Sequence, residues 1–264
     1  MTDHGVVLEG IGLHTGRTSR IVVACSTPGT GIRFVRTDLP GRPSVQAVRA
    51  TVVSTDRHTV LASGEAVVMT VEHLMAALSG LSLWDAVIEV DGPEVPILDG
   101  SALPFVAVLA SLEPSPRAPL IVASEVSIRR GGGVARVTPS DGFTLECSIE
   151  FDHLAVRRQT ASWDGSTRSF MEQVAPARTF GFLDEMVTLR ERGLAAGASL
   201  ENALVFGPSG PLSPTRFDDE PARHKLLDAI GDLALLGCPI RARVVLEKPG
   251  HSLIVGLVET LEST

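Results

Sequence analysis

The most informative stretch of this chain is Glu220 Pro221 Ala222 Arg223 His224 Lys225 Leu226 Leu227 Asp228 Ala229 Ile230 Gly231 Asp232. Its apolar residues recur at helical spacing, between Pro221 near the start and a Gly and a Pro beyond the end, which predicts a helix packed on a core. His224, Asp228 and Asp232 lie four residues apart and share one stripe of that helix. An imidazole and a carboxylate so placed can bind one metal ion. They can equally form an ordinary surface pair, and this stretch alone does not decide.

A second stretch, Thr70 Val71 Glu72 His73 Leu74 Met75 Ala76 Ala77 Leu78, puts a carboxylate beside an imidazole on another predicted helix. Adjacent helical residues point about 100° apart, so His73 can reach a metal while Glu72 reaches water beside it. Two histidines and one aspartate leave one of the four zinc positions open, as a hydrolytic site requires. Taken alone, Glu72 is a common first-turn acid and His73 a packed histidine. The two stretches together favour a metal site.

Six stretches of the chain, in order, resemble the family of UDP-3-O-acyl-N-acetylglucosamine deacetylases, the zinc amidases of lipid A biosynthesis. They are Gly10 Ile11 Gly12 Leu13 His14 Thr15 Gly16, then residues 70–74, 91–101, 177–182 and 223–232, and finally Gly250 His251. The resemblance implies a hydrolase that removes acetate from UDP-3-O-(3-hydroxyacyl)-N-acetylglucosamine, the committed step of that pathway. Two alternatives stay open: a zinc amidase or esterase acting on another acylated amino sugar, and a non-catalytic sensor of the acylated nucleotide sugar.

The resemblance also assigns metal and catalytic roles. It implies one Zn²⁺ held by His73, His224 and Asp228. Catalytic roles fall on five further residues: Glu72 as general base, Thr179 as a donor to the oxyanion, Lys225 beside the metal, His251 as proton donor or charge stabiliser, and Asp232 as the partner of His251.

Substrate contacts follow from the same resemblance. Phe180 matches the aromatic residue that packs on the glucosamine ring, Phe151 the one near uridine, and Lys248 a substrate-binding lysine. Either Phe could instead be core, which is the commoner role of the residue. The stretch 183–204 matches a hydrophobic passage for the acyl chain.

Lysine is rare in this chain. Of the 23 Lys and Arg residues only Lys225 and Lys248 are lysines, and each lies close to a histidine of a motif. A compact ammonium at these two places, where arginine serves everywhere else, supports local binding of a sugar-nucleotide diphosphate.

The fold class predicted is α+β, with two similar two-layer α/β sandwich domains and the active site at their interface. The proline-dense segment 113–119 is the predicted boundary, since proline interrupts helix and sheet alike. The first domain, 1–113, then carries His14, Glu72 and His73. The second, 119–264, carries Thr179, His224, Asp228 and His251. Strand-like runs at 84–90 and 241–246 each follow a motif-bearing helix, which indicates a degenerate duplication.

Composition limits the partners. A net charge of −8 argues against nucleic acid as a general partner. No apolar stretch of 18 residues occurs, and Met1 Thr2 Asp3 His4 Gly5 shows no export signal. Three widely spaced cysteines indicate neither a disulfide framework nor a cysteine zinc site. We therefore expect a soluble cytoplasmic protein, acting as a monomer on its UDP-linked acylated glucosamine, with peripheral contact with the inner membrane left open.

Overall fold

The computed structural model describes residues 5–263 and shows the predicted mixed α+β fold. Residues 1–4 and 264, at the outer ends of the two predicted domains, lie outside the described residues, as do four of the five residues used to judge export. Among the helices that are described, none is long and apolar enough to cross a membrane.

Between residues 5 and 113, the first half contains eight strands and two α-helices. The strands are β1 (Val6–Ile11), β2 (Thr18–Cys25), β3 (Ile32–Arg36), β4 (Ser44–Gln46), β5 (Val52–Ser54), β6 (Val60–Ser63), β7 (Ala66–Met69) and β8 (Ala86–Asp91), and the helices are α1 (Glu72–Gly80) and α2 (Leu103–Leu109). Five of the strands form one sheet in the order β1-β2-β8-β3-β4, and β5, β6 and β7 form a separate small sheet.

The second half, as far as residue 263, contains nine strands and four α-helices. The strands are β9 (Leu120–Ile121), β10 (Val126–Arg130), β11 (Gly133–Pro139), β12 (Thr144–Glu150), β13 (Arg158–Trp163), β14 (Phe180–Phe182), β15 (Leu204–Gly207), β16 (Gly210–Pro211) and β17 (Ile240–Glu247). The helices are α3 (Thr167–Ser169), α4 (Met186–Glu191), α5 (Glu220–Leu233) and α6 (His251–Glu262). The main sheet has the order β10-β11-β17-β12-β13 with β9 beside β17, and β14, β15 and β16 form a small sheet.

The two halves share one topology. In each main sheet the central strand is the last in sequence, β8 or β17, and it runs parallel to one neighbour and antiparallel to the other. In each half a small three-stranded sheet and then a long helix precede that strand. The two halves therefore have the same strand order, with α1 and α5 in equivalent places, as the predicted duplication requires. Among the described residues, every sheet takes its strands from one side of residues 113–119, and the domain boundary predicted there stays a prediction.

Alternation of buried and exposed residues explains how the main sheet of the second half faces its helices. Along β17, Ile240, Ala242, Val244 and Leu246 are buried, while the residues between them are more exposed. Period-two alternation puts these four side chains on one face of the sheet. Helices α5 and α6 pack against the strands of the same sheet. The main sheet of the second half is therefore covered by helices, as the fold class predicts.

The two halves meet where α1 crosses α5, and a glycine permits the contact. A Cβ on Gly231 would collide with the backbone carbonyl oxygen of Glu72 and lie 2.7 Å from its carbonyl carbon. Because backbone atoms cannot rotate away as a side chain can, only glycine fits without moving α1. The crossing places Glu72 and His73 of α1 against the polar stripe of α5.

Gly231→Ala should therefore destabilise the protein, although the same change raises helix propensity by about 1 kcal/mol. We expect a net loss of about 1–3 kcal/mol in the free energy of unfolding, because the added methyl overpacks a helix contact. Denaturant unfolding measures it, with Gly142→Ala as the control, since a Cβ there meets nothing within 4 Å. A Gly231→Ala protein as stable as wild type would contradict this account of the crossing.

Candidate metal centre and active site

Three side chains from α1 and α5 converge in the crossing. His73 Nε2 and His224 Nε2 are 3.1 Å apart, and Asp228 Oδ1 lies 3.4 Å from the first and 3.3 Å from the second. All three residues are buried. The i,i+4 spacing on α5 sets two of the positions and the helix crossing supplies the third, so the structure brings together the predicted ligand set.

The electrostatics of this cluster suit a cation. Burial holds the pKa of His224 well below its usual value, so its imidazole is neutral. Burial acts against the charge of Asp228, but its polar neighbours, the charged Lys225 among them, outweigh that effect and hold the pKa of this carboxyl well below its usual range. Lys225 Nζ donates to Asp228 Oδ2 at 2.9 Å. The cluster therefore offers two imidazoles and one ionised carboxylate.

Glu72 is the first residue of α1 and faces the same cavity as the cluster. Burial raises the pKa of its carboxyl to about 7, although the nearby His251 and His73 act in the opposite direction. A carboxylate with a pKa close to ambient pH can both accept and return a proton. The structure therefore places Glu72, the residue predicted as the base, in the same cavity as His73, a residue predicted as a metal ligand.

His251 begins α6 and pairs with Asp232 of α5, as predicted. Its Nδ1 lies 2.7 Å from Asp232 Oδ2, and both residues are buried. Burial opposes an imidazolium, but the carboxylate of Asp232 raises the pKa of His251 to about 9. Because Nδ1 is committed to Asp232, Nε2 is the ring nitrogen left for the cavity that His251 lines.

Two buried residues that were not among the predicted site residues, Thr59 and Glu94, form hydrogen-bond networks around the site. Thr59 donates its backbone N–H to Glu72 Oε2 at 3.1 Å and its hydroxyl to Asp232 Oδ1 at 2.6 Å. Glu94 accepts four hydrogen bonds, from the backbone N–H groups of His14 and Thr15 and the hydroxyls of Thr15 and Thr70. Glu94 lies inside a family motif, but nothing in the motif indicates this role. Thr59 carries no sequence signal.

The network around Glu94 fixes the entry to α1. Thr70 has φ +57, a conformation that a β-branched residue rarely adopts. Its bond to Glu94 helps hold that strained backbone two residues before Glu72. His14, anchored to the same carboxylate, is buried and stacks on His58 with ring centroids 4.2 Å apart.

Thr179 and Phe180 are positioned by an ion pair. Arg178 donates through its backbone N–H and its guanidinium to Glu220, the buried first residue of α5. Thr179 N–H donates to the carbonyl of Gly100 at 2.7 Å. The Phe180 ring meets the His224 ring edge to face at 5.6 Å. Thr179 and Phe180 therefore line the same cavity as the cluster of His73, His224 and Asp228.

Two adjoining cavities lie at this end of the structure, and the first of them is lined by the clustered residues. The first, about 250 Å³, is lined by Glu72, the three clustered residues, Lys225, His251, Thr179, Phe180 and Phe151. The second, about 400 Å³, is mainly apolar and runs between α4 and the segment 195–205. They share Leu13, Thr179 and Phe180 in their walls. The passage predicted at 183–204 thus has a matching cavity.

Lys248 lies elsewhere. It pairs with Glu150 at 2.6 Å, and about half of each side chain is exposed. Together with Ser148 and Arg158 they line a separate surface groove. Of the two lysines, only Lys225 lines the cavity that contains His73, His224 and Asp228. The predicted contact of Lys248 with substrate stays a prediction.

Two histidines and an aspartate with a glutamate beside them, in a cleft between two α+β halves, are the arrangement of a metal-dependent hydrolase. Comparison with known families narrows the class. The model of the UDP-3-O-acyl N-acetylglycosamine deacetylase family matches residues 2–263, and the chain belongs to that family.

Curated relatives agree over nearly the full length. A UDP-3-O-acyl-N-acetylglucosamine deacetylase of Myxococcus xanthus is 42% identical over 262 residues, which cover 97% of this chain and 83% of the relative. The deacetylase of the same name from Geobacter sp. is 43% identical, over 96% of this chain and 85% of the relative. The one from Nostoc sp. is 39% identical, over 96% of this chain and 94% of the relative. The family resemblance seen in the sequence is confirmed.

Asp232→Asn should lower the pKa of His251 from about 9, because the charge that raises it is removed while the shape is kept. Side-chain NMR titration of metal-stripped protein measures this change. In the wild type, the His251–Asp232 pair contributes fully to the free energy of unfolding below pH about 6.5, and this contribution is lost as the pH rises through about 9. An unchanged His251 titration in Asp232→Asn would show that another group holds its proton.

Proposed function

We propose that this protein is a zinc-dependent hydrolase that removes acetate from UDP-3-O-(3-hydroxyacyl)-N-acetylglucosamine, the committed step of lipid A biosynthesis. The observation that carries the proposal is the convergence of His73, His224 and Asp228 in one cavity with Glu72 and His251. Binding alone needs no base and acid in the same cavity as a set of metal-ligating side chains, so this arrangement favours an enzyme over a sensor.

The donor set fits zinc. Tetrahedral zinc with nitrogen ligands at about 2.0–2.1 Å places those nitrogens about 3.3 Å apart, and His73 Nε2 and His224 Nε2 are 3.1 Å apart. Two imidazole nitrogens and one carboxylate oxygen suit zinc rather than magnesium or calcium. When bound, the metal supplies a Lewis acid that polarises the acetamide carbonyl and acidifies water.

Protein groups perform the proton transfers. Glu72 takes a proton from the attacking water, which its raised pKa allows near neutral pH. The hydroxyl of Thr179, in the wall of the same cavity, stabilises charge on the carbonyl oxygen. His251, held protonated by Asp232, gives a proton to the leaving amine or stabilises charge there. Lys225 adds positive charge and holds the second oxygen of Asp228.

The cavities accommodate the parts of the substrate. Phe180 beside His224 offers an apolar surface for the glucosamine ring. Phe151, whose ring meets that of Phe180 edge to face with centroids 5.6 Å apart, offers one toward uridine. The apolar second cavity takes the acyl chain. Lys248, half exposed in its groove, is available to a phosphate once Glu150 releases it.

The cellular setting is part of the proposal. The three cysteines are free, which suits the reducing cytoplasm. Every residue proposed for the site comes from one chain, so a monomer suffices for catalysis.

The activity is tested by incubating the purified, zinc-loaded protein with the UDP substrate and measuring free amine together with acetate. We expect equal amounts of both products, no turnover after metal removal, and recovery on adding zinc back. Asp228→Ala should lose metal and activity together. Asp219→Ala, which removes an acid from the start of the same helix and leaves the cluster intact, serves as control. Zinc-loaded protein that releases no amine would contradict the proposal.

Glu72→Gln tests the assignment of the base. The amide keeps the shape of the side chain but cannot accept the proton, so kcat should fall by about 10²–10⁴. Metal content and KM should stay close to wild type, because Glu72 is not among the proposed ligands. Steady-state kinetics with elemental analysis measures all three. Turnover within a few-fold of wild type would place the base elsewhere.

A further inference from the structure

Thr59 occupies the point where three parts of the site meet. It immediately precedes β6 and is fully buried. Its neighbours along the chain are anchored independently: His58 stacks on His14, and Arg57 pairs with Glu185. The backbone at residue 59 is therefore held in place from outside the catalytic cluster.

Its contacts reach both proton-transferring groups. The backbone N–H donates to Glu72 Oε2 at 3.1 Å. The hydroxyl donates to Asp232 Oδ1 at 2.6 Å and lies 3.4 Å from His251 Nδ1. Glu72, Asp232 and His251 belong to α1, α5 and α6 respectively. A single residue thus touches the base, the histidine and the partner of the histidine.

The hydroxyl has one proton, and the distances show where it goes. At 2.6 Å from Asp232 Oδ1 it forms a strong bond to a carboxylate, whereas 3.4 Å to His251 is too long for a comparable one. His251 Nδ1 donates to the other oxygen, Oδ2. Each oxygen of Asp232 therefore has a donor, and the two bonds together fix the plane of the carboxylate and the direction of the histidine ring.

The backbone bond acts similarly on Glu72. With Oε2 held by Thr59, Oε1 is the oxygen left to face the cavity. Catalytic groups lose about 10²-fold in rate when displaced by about 1 Å. The relative placement of base and acid thus depends on one buried residue that touches neither the substrate nor the clustered metal ligands.

We propose that Thr59 is a positioning residue, which sets the base Glu72 and the His251–Asp232 pair in register across the reaction centre. The proposal rests on the deacetylase function proposed above, but its structural part stands on the geometry alone. Its side-chain contribution is separable from its backbone contribution by substitution.

The kinetic test compares two variants. Thr59→Val keeps the volume and the backbone N–H but removes the hydroxyl, and Thr59→Ser keeps both donors. We expect kcat of Thr59→Val to fall by about 10- to 100-fold with KM and zinc content little changed, and Thr59→Ser to recover most of that loss. Thr260→Val is the matched control, because its hydroxyl bonds the carbonyl of Gly256 within α6, away from the cavity.

A second readout needs no substrate. In ¹⁵N-histidine-labelled protein, the Nδ1 proton of His251 should give a hydrogen-bonded NMR signal that exchanges slowly with water. Thr59→Val should speed that exchange, and Thr59→Ser should not. If Thr59→Val does not fold, the wild type still decides, because a Thr59 hydroxyl proton held by a buried carboxylate gives its own slowly exchanging signal.

The outcomes are distinct. The proposal is overturned if Thr59→Val keeps the wild-type kcat and the exchange rate of the His251 Nδ1 proton is unchanged. It is also overturned if Thr59→Ser and Thr59→Val lose kcat equally, because an equal loss indicates that Thr59 acts by packing alone. Absence of the Thr59 hydroxyl signal in the wild type overturns it as well. A wild-type protein with no deacetylase activity refutes the proposed function, while the exchange data still decide the positioning role.

Discussion

The close approach of α1 to α5 at Gly231 is the contact on which the rest of the site depends. Each helix carries only part of the chemistry: Glu72 and His73 lie on α1, and His224, Lys225, Asp228 and Asp232 on α5. Since the two helices occupy equivalent places in two halves of equal topology, the site lies on the boundary between the halves. An error of one turn in either helix would separate the metal ligands.

The crossing also buries charge, and the pairing within it explains why the charge is tolerated. An ionised group in a protein interior is costly unless partners compensate it. Asp228 has Lys225 and the histidines, and Asp232 has His251 and Thr59. Glu72 has fewer donors, and burial raises its pKa accordingly. The carboxylate proposed to exchange protons is thus the one that is least compensated, while those proposed to bind or orient are firmly ionised or paired.

Sequence patterns predicted the parts of this site that repeat at helical spacing. The 3.6-residue period gave the stripe on α5 and the adjacent pair on α1, and motifs carried Thr179, Phe180 and His251. Thr59 could not be found in this way, because its bond to Asp232 joins residues 173 positions apart and no motif surrounds it. Glu94 was visible as part of a motif but not as an acceptor of four bonds. The nearness of Lys248 to His251 in sequence does not reveal its ion pair with Glu150, and the contact with substrate predicted for Lys248 stays a prediction.

The most direct test of the account is anomalous diffraction from zinc-loaded crystals, recorded at energies above and below the zinc absorption edge. The account predicts one strong peak per chain between α1 and α5, about 2.0–2.2 Å from His73 Nε2, His224 Nε2 and an oxygen of Asp228. A principal peak bound by other residues, such as a surface carboxylate or Cys147, would contradict the assignment of the metal centre, and so would the absence of any peak at the crossing.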